Sequence, residues 1–195
     1  MYLQAEQFYH VYNIGNNKHQ LFFNRANYIY FLEFVRKHVS PCCEIINYCL
    51  MPNHFHFLIS TTEYSAEPMR LGSLTTNRLS NAFRIVLSSY AKGVNVQQKR
   101  KNVLFKPKTI AKSLEESGAN YAETCFHYIH QNPLKAGLVK KLEDWEFCSF
   151  RDYAKLRNGT LCNQELANQF IDFDKDNFLK ESYQMIPDEK LKYIF

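Results

Sequence analysis

The chain alternates between short β-type runs and longer stretches of helical spacing. Phe8 to Ile14 (FYHVYNI) is aromatic and β-branched and predicts a strand. Gly15-Asn16-Asn17 follows as a turn. Asn24 is placed to cap a helix reaching about His38, with Phe31, Leu32, Phe34 and Val35 among its apolar positions. Glu44 to Met51 is a mostly apolar run, as in a buried strand. Pro52-Asn53 makes a tight turn into a second strand, His54 to Ser60, so the pair forms an antiparallel hairpin. A helix is predicted from about Ser73 to Lys92, with Leu79, Phe83, Val86, Leu87 and Tyr90 at helical spacing. Gly93 to Asn102 reads as a basic loop and Val103-Leu104-Phe105 as a short strand. A further helix starts near 118–120 and stops at Asn132, because Pro133 disfavours helical geometry in the residue before it. The order strand, helix, strand, strand, helix, short strand, helix predicts an α+β fold of the ferredoxin-like (RRM-like) kind. In it an antiparallel sheet carries helices mainly on one face.

Two segments add chemistry to this frame. Side chains alternate along a strand, so Phe55, Phe57 and Ile59 share one face of the second hairpin strand. His54 and His56 share the other, expected to be exposed, where two imidazoles can chelate one metal ion. The same pattern also serves as plain polar positions on a solvated sheet face. In the later helix, Tyr128 and Asn132 are four residues apart and lie on one face, with Phe126 and Ile129 on a core-facing stripe. A tyrosine there can attack a phosphodiester and hold the cut end covalently, and the Asn132 amide can supply a third metal ligand. Packing is the plain role of a helical tyrosine, one of 13 in the chain. His127 and His130 are secondary candidates, and His10 fits either the core or the sheet surface.

Charge changes the picture next. The net charge is +5, but Pro68 to Leu114 contains no acid and ten cations, so that block is +10 against −5 for the rest. A one-sign block of this length points to a polyanion. Arg78, Arg84, Lys92, Lys99, Arg100, Lys101, Lys106 and Lys108 are the candidate DNA contacts.

The chain has 195 residues and is 46% hydrophobic, enough for one domain with a substantial core. The six cysteines form no CxxC pair and read as reduced thiols. No apolar run approaches a membrane span, and the Met1-Tyr-Leu-Gln-Ala-Glu6 start lacks a leader pattern, so a cytoplasmic protein without membrane contact is expected.

Four blocks in order carry a resemblance. They are Tyr9-His-Val-Tyr-Asn-Ile-Gly-Asn-Asn17, Met51-Pro-Asn-His-Phe-His-Phe-Leu-Ile59, Tyr128-Ile-His-Gln-Asn-Pro-Leu-Lys-Ala-Gly-Leu-Val139 and Trp145-Glu-Phe-Cys-Ser-Phe-Arg-Asp-Tyr153. Together they resemble the HUH-type single-tyrosine transposases, REP-associated ones most closely. The resemblance implies a transposase and endonuclease domain over 1–155, leaving 156–195 as a C-terminal extension. It implies Tyr128 as nucleophile, forming a 5′-phosphotyrosine, and Mg²⁺ or Mn²⁺ held by His54, His56 and Asn132. The implied partner is single-stranded DNA beside a hairpin, and the implied state is a monomer or a homodimer, with the monomer preferred. Two other readings use the same residues: a catalytically silent, domesticated hairpin-binding protein, and a nuclease in which water attacks in place of tyrosine.

Overall fold

The computed structural model describes residues 1, 3–115, 121–184 and 186–187. Its centre is a four-stranded antiparallel sheet in the order β2-β3-β1-β6, from Phe8–Ile14 (β1), Cys43–Met51 (β2), His54–Thr61 (β3) and Ile110–Ser113 (β6). A separate hairpin pairs Pro68–Leu71 (β4) with Leu74–Asn77 (β5). The expected ferredoxin-like α+β architecture is present.

The first face of the sheet is covered by α1 (Arg25–Phe34) and α3 (Arg78–Gln97), and the single turn α2 (Glu63–Ala66) leads from β3 to β4. Asn24 caps α1 as expected, accepting from the Asn27 amide at 3.1 Å. The helix then widens into a π-helical turn at Val35–Val39. Phe55, Phe57 and Ile59 enter this core beside Phe22, Phe31, Phe83 and Tyr90. Tyr90 satisfies its hydroxyl on the Leu21 carbonyl at 2.8 Å, so the layer buries no stray donor there.

The second face is covered by α4 (Tyr121–Lys135), with α5 (Phe150–Tyr153), α6 (Gln164–Phe170) and α7 (Phe178–Ser182) packed around it. Phe178 is buried against Phe126, Phe150 and Tyr153. Gln131 Nε2 donates to the Ser182 and Gln184 carbonyls at 2.9 and 2.7 Å. The described part of 156–195 therefore helps to build the second core.

Four local expectations change. α3 starts at Arg78, not Ser73, because 68–77 forms the β4–β5 hairpin and Asn77 caps the helix. It then runs to Gln97, taking in half of the expected 93–102 loop. The 103–105 run gives only one isolated bridge, Gly15 to Phe105, and the fourth strand lies at Ile110–Ser113 instead. α4 passes through Pro133 to Lys135. Proline there removes one donor in the last turn, a small loss because the helix ends within a few residues. Gly137, at φ +67°, closes it. The predicted start of α4 at 118–120 lies outside the described residues.

Candidate functional site

Three elements converge on the second face. β3 contributes His54 and His56, β1 contributes His10 and Tyr12, and α4 contributes Tyr128 and Asn132. Register explains the first two. Tyr12 lies opposite His56 and His10 opposite Leu58, so His10, Tyr12, His54 and His56 point to one side. Helical spacing explains the third, since Tyr128 and Asn132 sit one turn apart on the sheet-facing side.

The rings are close. The His54 and His56 centroids are 4.9 Å apart, and Tyr128 stands edge-on to His56 at 5.7 Å. The Asn132 side chain lies beside both the His54 ring and the Tyr128 phenol, and its Nδ2 donates to the Tyr128 carbonyl at 3.0 Å. One amide thus links the histidine strand to the tyrosine. His54 Nδ1 is 2.7 Å from Asn53 Oδ1, and His56 Nδ1 is 2.8 Å from His10 Nε2.

The histidine face is not open, as alternation alone predicted. α4 lies over it, leaving His56 2% and Tyr128 6% exposed. Burial lowers the pKa of His54, opposed by its hydrogen bond to Asn132. Burial also lowers His56 far below the usual imidazole range, reinforced by His10 and His54 beside it. Both rings are therefore neutral near pH 7, the form that binds metal. Burial pushes the Tyr128 phenol up, and the Asn132 hydrogen bond opposes this.

The donor set fits a divalent cation. His56 Nε2 is buried and has no hydrogen-bond partner among the described residues. A buried ring nitrogen left this way is costly unless a ligand meets it. Among the described residues no three His, Cys, Asp or Glu side chains gather to hold a metal. The set is instead two imidazoles and an amide, which leaves positions for water or phosphate oxygens. Beside His54 a depression of about 330 Å³, lined also by Lys18, Gln20, Asn53, Ala136 and Leu138, gives access from solvent.

The cations are dispersed. Arg84, Lys106 and Lys108 line one groove of about 510 Å³ between α3 and the 105–109 loop. Arg78 is tied to Glu67 and lies over the Tyr64 ring. Lys92 is on the exposed side of α3, and Lys99, Arg100 and Lys101 follow its C-terminal end. None of these eight adjoins Tyr128. Among the described residues Lys135 comes close, with Nζ 5.8 Å from the Tyr128 ring centre, and Lys112 lies over Tyr121. His10 and Lys135 were missed as site residues in the sequence. The β1–β3 register would have found His10, and the seven-residue spacing from Tyr128 would have found Lys135.

Comparison with solved structures now bears on this arrangement. A REP-associated tyrosine transposase bound to a REP hairpin matches over 96% of this chain and 96% of that chain, with TM-score 0.57 and 20% identity. The chain has the fold of a REP-associated tyrosine transposase. A bacterial tRNA(His) guanylyltransferase (Thg1)-like protein in complex with GTP matches more loosely, at TM-score 0.42 and 13% identity over 69% of this chain and 68% of that one. No family model matches the chain, and no curated protein does. The tyrosine transposase fold thus spans both sheet faces and the described part of 156–195. No helix among the described residues is long and apolar enough to cross a membrane.

Proposed function

We propose that this chain cuts and rejoins single-stranded DNA beside a hairpin, with Tyr128 as nucleophile and Mg²⁺ or Mn²⁺ held by His54, His56 and Asn132. The observation that carries this reading is the convergence of four side chains from two elements: the Tyr128 ring stands edge-on to His56 at 5.7 Å, His54 lies 4.9 Å from His56, and the Asn132 amide lies beside both His54 and Tyr128. The hairpin comes from the transposase whose fold the chain has, which is bound to a REP hairpin.

The Tyr128 oxygen attacks the scissile phosphorus as the bond to the 3′-oxygen breaks. The departing 3′-oxygen takes up a proton and becomes a hydroxyl, and the phenolic proton passes to solvent. The 5′-phosphate stays on the tyrosine, so the reverse attack by a 3′-hydroxyl rejoins a strand without a nucleotide cofactor. When bound, the metal polarises the phosphate and stabilises charge on it. Asn132 orients the phenol toward the histidines, and Lys135 offsets phosphate charge next to the ring. The cations of 78–108, led by the Arg84, Lys106 and Lys108 groove, hold the DNA backbone away from the chemistry.

Burial of Tyr128 and His56 favours a second reading, hairpin binding without cutting. His54→Ala and Asn132→Ala separate the two. Both variants are expected to retain hairpin binding in a mobility-shift assay and to lose metal-dependent cleavage of the adjoining strand by at least about a hundredfold. A wild-type chain that binds hairpins across a broad library and cuts none would establish the binding-only reading.

A further inference from the structure

We propose that His10 is a positioning residue for His56. Its Nε2 accepts the Nδ1 proton of His56 and so holds that ring in the tautomer whose Nε2 is free to bind a divalent cation. This rests on the metal reading given above, and it assigns a task to a residue outside the ligand set.

Register brings the two rings together. His10 in β1 and His56 in β3 are diagonal neighbours, because Tyr12 lies opposite His56 and His10 opposite Leu58. Their rings stack with centroids 5.0 Å apart, and His10 Nε2 is 2.8 Å from His56 Nδ1. Neither ring is accessible, at 0% and 2% exposure, so water does not substitute for either partner. Between two neutral imidazoles at this distance one nitrogen donates and the other accepts. Two tautomer pairs satisfy that rule. In one, His56 donates from Nδ1 and keeps Nε2 as a lone pair. In the other, His10 donates and His56 carries its proton on Nε2.

The metal reading selects the first, because only there is the buried His56 Nε2, which has no hydrogen-bond partner among the described residues, a lone pair that a cation can meet. His54 supplies the parallel. Its Nδ1 is 2.7 Å from Asn53 Oδ1, an oxygen that only accepts, so that ring too is protonated on Nδ1. Both candidate ligands thus give their Nδ1 proton to an acceptor on the protein, one from the β2–β3 turn and one from β1. Fixing the far nitrogen of a ligating imidazole in this way sets its orientation and raises its basicity.

The test measures Mn²⁺ binding to the full chain by electron paramagnetic resonance of the free ion, with no DNA present. His10→Leu removes the acceptor and keeps an apolar side chain of similar bulk. His10→Gln restores an acceptor near the Nε2 position. The proposal expects affinity to fall ten- to hundredfold in His10→Leu and to recover to within a few-fold of wild type in His10→Gln. Urea melts confirm that both variants fold. Equal affinity in wild type and His10→Leu overturns the assignment, as does an equal loss in both variants, which marks His10 as a packing residue. Should His10→Leu fail to fold, His10→Gln and His10→Phe decide, the first expected to bind Mn²⁺ and the second not. A wild-type chain without saturable Mn²⁺ binding overturns the metal reading itself and, with it, the task of His10.

Discussion

The two faces of β3 are built from the same eight residues and do opposite things. Phe55, Phe57 and Ile59 enter a dry layer of aromatic rings under α1 and α3. His54 and His56 enter a layer that holds two more polar side chains, Tyr128 and Asn132, under α4. Burying apolar area stabilises the first face. Burying imidazoles costs free energy on the second, and the cost persists where a ring nitrogen has no partner. The contrast teaches that the first face holds the fold while the second spends stability on a site. A residue that packed for stability alone at position 56 would be a leucine.

Three changes probe that contrast, the largest first. Phe57→Ala is expected to destabilise the chain by about 3–5 kcal/mol in urea unfolding, because it opens a cavity in a close-packed layer. A loss below about 1 kcal/mol would show that the first face is not the stabilising one. Acid is expected to act through the second face. Burial holds His127 down to about 4, and His54, His56 and His130 are lowered in the same direction. Unfolded imidazoles take up protons near pH 6.5, so the stability linked to these groups is complete above that value. It is lost as the pH falls toward the folded values, with His127 alone accounting for about 3 kcal/mol at pH 4. His127→Gln should flatten this decline, measured as urea midpoints at pH 7 and pH 4.5, and an unchanged decline would remove His127 from the acid response. The smallest expected effect is His56→Leu, which deprives the buried His10 Nε2 of its partner and should cost about 1–3 kcal/mol of stability while abolishing metal binding. A loss as large as that of Phe57→Ala would make His56 a structural residue.

Much of the frame was legible because hydrophobic alternation in β1, β2 and β3 is strong and Asn24 and Pro52-Asn53 punctuate it. Tyr128 and Asn132 were legible as a pair because helical spacing fixes which residues share a face. The cover over the histidines was not. Alternation says that His54 and His56 share a side, but only tertiary packing says that α4 lies on that side. His10 was hidden for a related reason, since its partnership with His56 depends on which residues of β1 and β3 face each other across the ladder. The β4–β5 hairpin was hidden by Leu74 and the helical spacing just beyond it, which made 73–77 look like the first turn of α3. The basic block misled in space: its one-sign run is clear in the chain, yet Arg78 is tied to Glu67 and only Arg84, Lys106 and Lys108 share a groove.

The central claim is that Tyr128 attacks DNA. The direct measurement incubates the protein and its Tyr128→Phe variant with end-labelled single-stranded hairpin DNAs and Mn²⁺, then resolves the products on a denaturing gel. The account predicts a covalent protein–DNA band in wild type and none in Tyr128→Phe, with strand cleavage lost in parallel. Cleavage that persists in Tyr128→Phe without any covalent band would contradict it and assign the attack to water.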